Sequence, residues 1–207
     1  MNFVGNSEDV RRRMDAQTTK EFDWMLEQQV KLAFEVQGFD AFKSTRAEAA
    51  IHEAGHAVNF AATGQRVTEC TISLEHLGAH RGWAGLTTGG DAWRIDQMTP
   101  VTEMLSIARN QLAGVTAERF ALGRKARHGS SLDEVVFAQI IISRAATRLK
   151  TDGEALYHKQ SEILVRVFEE NRLVLDELAA TLKTQKRLSG RRLDAILCRV
   201  QPMRAMV

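Results

Sequence analysis

The sequence predicts a mainly helical protein with one small sheet beside a central helix. Three observations carry that expectation. Apolar residues recur at helical spacing over most of the 207 residues. Helix-disfavouring residues are scarce, with 2 prolines and 6% aromatics. One stretch alone, 66–88, alternates Val67, Cys70, Ile72 and Leu74 with threonine and serine, as a half-buried strand does.

The elements follow in order. Residues 7–37 scatter Val10, Met14, Phe22, Trp24, Met25, Leu26, Val30, Leu32, Phe34 and Val36 at a spacing that suits a helix with a moderately apolar face, and Gly38 closes it. Thr45 stands three residues before Glu48, a capping box that opens a helix through Ala62 and ends at Gly64. Glycines punctuate the stretch after the first strand, and a second short strand is expected over 83–87. Residues 89–97 read as loop, and Thr99-Pro100 starts a helix that stops at Gly123. A helix over 131–149 follows the loop 124–129. Residues 154–184 then continue at helical spacing, and Ser189 caps a short last helix. The organisation expected is an N-terminal helical extension (1–44), a core (45–150) and a C-terminal helical layer of the same domain (151–207).

Composition removes several classes. A net charge of +2 gives no electrostatic case for nucleic acid or a membrane surface, and Arg11-Arg12-Arg13 and Arg191-Arg192 suit solvated helix faces. Apolar runs such as Ile140-Ile141-Ile142 fall far short of the ~20 residues a bilayer span needs. The first residues show no charged start followed by an apolar stretch, so the expected compartment is the cytoplasm. Cys70 and Cys198 have no metal-type spacing and read as two buried free thiols.

The chemistry sits in His52-Glu53-Ala54-Gly55-His56. Histidines four apart on a helix share a face one turn apart, so both imidazoles can reach one Zn²⁺. Glu53 follows the first histidine, where its carboxylate can take a proton from the attacking water instead of ligating the metal. Gly55 costs the helix about 1 kcal/mol relative to alanine, which points to a steric demand. With 6 histidines in the chain, a chance His-Glu-x-x-His arises in roughly one such chain per hundred, so coincidence is the weaker reading.

A catalytic zinc takes three protein ligands and keeps one open position. Spacing offers His76, His80, Glu103, Glu118, His128, Asp133 and Glu134 as the third. Asp133 stands three residues after Ser130, so from the pattern alone it serves equally as a helix-capping group. Glu118 reads either as an acid orienting a ligand histidine or as a solvated helix residue. Trp83 and Trp93 read as groove-lining or, more ordinarily, as packing.

Beyond the motif, the chain resembles the peptidase domain of the FtsH-type AAA metalloproteases over about residues 45–200. His52-Glu53-Ala54-Gly55-His56-Ala57-Val58 resembles that family's zinc helix. Val67-Thr68-Glu69-Cys70-Thr71-Ile72-Ser73 resembles the strand after it, and Arg81-Gly82 with Gly85-Leu86-Thr87 the segment that follows. Ala113-Gly114-Val115-Thr116-Ala117-Glu118 is similar to a family helix, and Gly129-Ser130-Ser131-Leu132-Asp133 to a segment ending in an aspartate ligand. Leu188-Ser189-Gly190-Arg191-Arg192-Leu193 resembles its last helix.

The resemblance implies Asp133 as third ligand and a zincin-like helical domain with a short antiparallel sheet beside the site. Val115 departs from the family's usual arginine and Leu132 from its asparagine. The chain contains no Gly-x-x-x-x-Gly-Lys-[Ser/Thr] loop and no membrane anchor, so the likeness is to the protease half alone. The reading is a zinc metallopeptidase acting on peptides or unfolded protein, ATP-independent by itself. Its ligands are His52, His56 and Asp133, with Glu53 as base and Glu118 behind the ligands. The alternatives are a non-enzymatic interaction module and a protease subunit served by a separate ATPase or unfoldase, with homo-oligomerisation left open.

Overall fold

The computed structural model describes residues 7–77, 80–90, 93–123 and 131–203. It is mainly helical with a small antiparallel sheet: α1 (Ser7–Arg12), α2 (Ala16–Gln37), a 3₁₀ turn (Gly38–Phe42), α3 (Arg46–Ala62), β1 (Val67–Leu77), β2 (His80–Gly89), α4 (Val101–Leu122), α5 (Leu132–Leu149), α6 (Gly153–Glu170), α7 (Arg172–Gln185), β3 (Arg187–Ser189) and α8 (Gly190–Leu197). No described helix is long and apolar enough to cross a membrane. The described residues fall into two compact units. One draws on 1–43, 92–112 and 127–162, the other on 44–91, 113–126 and 163–207.

In the first unit the single helix expected over 7–37 is two. Asp15 interrupts it: its carboxylate accepts from the Thr18 backbone N–H at 2.7 Å and caps α2. That bond also holds the Asp15 carboxyl below its ordinary range. Met14 forms a parallel bridge with Ile95 at the same break. Gly38 ends α2 with φ 58°, a conformation glycine adopts without steric cost. Phe22, fully buried, meets Phe137 of α5 edge-on, and Trp93 stacks on the same ring at 5.1 Å. Trp93 is packing. Arg144 of α5 binds Thr18 and Glu21 of α2, and Arg148 caps the carbonyls of Gln97 and Thr99.

The second unit is built on α3, which packs against β1, β2 and α7. Both halves of the expected capping box are present: Thr45 Oγ1 accepts from Glu48 N, and Glu48 Oε2 accepts from Thr45 N. The strand order is β2-β1-β3, all antiparallel. β2 is longer than expected. β3 was not expected at all, because its three residues carry no alternation long enough to read. Cys70 and Ile72 of β1 are buried, and they pair with Thr87 and Gly85 of β2. Residues 154–184 also divide, at the buried Asn171, whose Nδ2 donates to Val167 O and whose Oδ1 accepts from Gln201 N. Cys70 is buried and free as expected. Cys198 is free but exposed, since it lies one residue past the short amphipathic α8.

Candidate metal centre

The site lies in the second unit, where α3 runs beside the second half of α4 and beneath β2. Contact between the helices depends on small residues. A Cβ on Gly55 would lie 2.4 Å from Ala117 Cβ and 2.8 Å from Ala113 O. A Cβ on Gly114 would lie 2.3 Å from His52 Nε2. The steric demand inferred at Gly55 is therefore a helix–helix contact. Residues 113, 114, 117 and 118 form two i,i+4 pairs: Ala113 and Ala117 meet Gly55, while Gly114 and Glu118 meet His52.

The two histidines converge. His52 Nε2 and His56 Nε2 lie 3.0 Å apart, with ring centroids 4.8 Å apart. Glu118 Oε1 lies 2.7 Å from His52 Nδ1. Glu118 is 5% exposed, so it is not a solvated face residue. A carboxylate against Nδ1 holds the proton there and leaves Nε2 with a lone pair. Two imidazole lone pairs come to 3.0 Å only with a proton or a cation between them. Two nitrogens on one tetrahedral Zn²⁺ would stand about 3.3 Å apart, from Zn–N bonds of ~2.0–2.1 Å. The donor set fits that ion within a few tenths of an ångström.

Glu53 turns to the sheet. Its Oε2 accepts from Thr87 Oγ1 at 2.7 Å, and it packs so flat against β2 that a Cβ on Gly85 would lie 2.3 Å from Glu53 Cγ. The residue is 5% exposed. Sequence reasoning missed Gly85 and Thr87 as parts of the site. The only available signal was a strand residue lacking a side chain two positions before a threonine, which is too common to select.

β2 also presents a free edge. Trp83 N–H points away from β1, donating to Ser44 O at 3.0 Å. Backbone groups alternate along an antiparallel strand, so the N–H and C=O of Gly85 and Thr87 face the same outer edge. No described strand pairs there. Trp83 itself is half-buried between the Arg46 guanidinium, 5.0 Å from its ring centre, and the Lys186 ammonium at 5.6 Å.

Of the other spacing candidates, His76 and Glu103 are exposed, as is His158. The side chain of His80, all of His128 and Ser130 lie outside the described residues. Asp133 is buried in the first turn of α5, in the first unit, and Glu134 follows it. The cap of α5 is Ser131, which makes no side-chain capping bond. Val115, where the resemblance breaks, is 2% exposed, so an apolar side chain takes an interior place. No family model and no curated protein matches the chain.

Proposed function

We propose that this chain is a zinc-dependent peptidase that hydrolyses extended peptides and unfolded segments. The observation that carries the reading is the convergence of His52 Nε2 and His56 Nε2 to 3.0 Å beside a buried glutamate that follows the first histidine. Under this reading His52 and His56 hold the metal, and Asp133 is the third ligand by resemblance. Zinc, when bound, supplies an acidified water and polarises the scissile carbonyl.

The chain's own groups do the rest. Glu53 takes the proton of the attacking water and returns it to the departing amine nitrogen. Glu118 fixes the His52 tautomer. The open edge of β2 aligns an extended substrate by strand addition at Gly85 and Thr87, and the Trp83 N–H, already bonded to Ser44, ends that ladder. A folded substrate does not present such a strand, so the substrate class is unfolded chain.

The test is metal analysis with peptide digestion. Wild type should carry about one zinc per chain and cleave a flexible peptide. His52→Ala and His56→Ala should lose the metal. Glu53→Gln should keep the metal and lose ~10²–10⁴-fold in rate. Full zinc retention in both histidine variants, or wild-type rates from Glu53→Gln, would refute the reading.

A further inference from the structure

We propose that Thr87 is a positioning residue for Glu53, so that the strand receiving the substrate also sets the direction of the base. The inference rests on the peptidase reading for its catalytic consequence, and on geometry alone for the contact.

Thr87 Oγ1 lies 2.7 Å from Glu53 Oε2 and 3.0 Å from Glu53 O. A hydroxyl carries one proton, and a carboxylate is a stronger acceptor than a peptide carbonyl, so the proton goes to Oε2. Behind Thr87 stands the fully buried Cys70, its partner across β1 and β2. Burial pushes that thiol up to about 12, so it stays protonated and brings no charge behind Thr87. The hydroxyl thus holds Glu53 Oε2 against β2.

Gly85 completes the arrangement. Any side chain there would collide with Glu53 Cγ, Cδ and Oε1, so the carboxylate is fixed by a missing Cβ on one strand residue and a hydroxyl on the next inward-facing one. The peptide groups of these same two residues form the free outer edge. A substrate strand added at Gly85 and Thr87 would bond the backbone of the residues that aim the base. Displacing a reacting group by about 1 Å costs up to ~10²-fold.

The experiment uses the zinc-loaded chain and a flexible peptide, with Thr87→Val, Thr87→Ser and, as control, Thr68→Val. The Thr68 hydroxyl bonds the Thr88 carbonyl on the exposed side of the sheet. Thr87→Val should lower kcat ~10–100-fold with KM within about twofold and zinc content unchanged. Thr87→Ser should recover most of the loss, and Thr68→Val should match wild type. A wild-type kcat for Thr87→Val, or equal impairment of the valine and serine variants, would overturn the proposal.

A second measurement reads the contact without catalysis. In a denaturation cycle of Thr87→Val with Glu53→Ala, non-additive midpoint shifts are expected, because the variants remove two ends of one bond. Additive shifts would overturn the proposal even in an active enzyme. Coupling in a chain that cleaves no peptide would leave the Thr87 contact standing and sink the peptidase reading alone.

Discussion

His52 Nδ1 and Glu118 Oε1 lie 2.7 Å apart, although 66 positions separate them in the chain. The contact joins α3 to α4 and leaves His52 Nε2 turned to His56 Nε2. A carboxylate in this place raises ligand basicity and fixes ring rotation. Glu118→Ala should therefore weaken zinc binding ~10–100-fold in chelator competition. Glu118→Gln, which still accepts from Nδ1–H, should lose less. Equal affinities in all three proteins would mean that the contact is structural only.

The glycines at the helix contact make opposite predictions from helix propensity and from packing. Gly55→Ala gains about 1 kcal/mol of propensity. It also drives a methyl to 2.4 Å from Ala117 Cβ, and overpacking typically costs ~1–3 kcal/mol. The net expected is destabilisation in chemical denaturation. Gly114→Ala should add a loss of zinc affinity, since its methyl occupies the place of the His52 ring and moving the ring breaks the bond to Glu118. A stabilised Gly55→Ala would show that the helices separate easily here.

Asp133 has two roles to separate, ligand and helix-terminal charge. Loss of an N-terminal cap costs ~0.5–2 kcal/mol and leaves metal affinity alone. Asp133→Ala should instead release zinc at chelator concentrations that wild type withstands. Ser131→Ala at the cap position and Glu134→Ala next in sequence are the comparisons. Zinc retained in Asp133→Ala but lost in Glu134→Ala would transfer the ligand role to Glu134.

Cys70 links stability to alkaline pH. Its folded pKa is pushed up from 9.0 to about 12, chiefly by burial. Above pH 9 the unfolded thiol ionises while the folded one does not, so the unfolded state binds fewer protons and stability falls as pH rises. The contribution is intact below pH 9 and drains away between about 9 and 12, at up to ~1.4 kcal/mol per pH unit. Cys70→Ala should flatten that slope. At pH 8 a thiol reagent should label the exposed Cys198 and reach Cys70 only on unfolding. An unchanged alkaline slope in Cys70→Ala would assign the titration to another group.

Much of this protein follows from local rules that need no tertiary structure. The capping box at Thr45 and Glu48, the helix ends at Gly38 and Gly123, and the shared face of His52 and His56 depend on residues three or four apart, and helix geometry places those together wherever the helix lies. Mainly helical with a small sheet is likewise a statement about periodicity, and periodicity is local. The breaks at Asp15 and Asn171 were harder. Apolar spacing continues through both, while one side chain diverts the backbone by bonding Thr18 N in the first case and Gln201 N in the second. What tertiary structure alone decided is everything that depends on residues far apart in sequence: β3 beside β1, Glu118 behind His52, and Thr87 and Gly85 against Glu53. A glycine or threonine in a strand carries no mark of what it will face. Its meaning appears only when packing sets it against a buried carboxylate from another element.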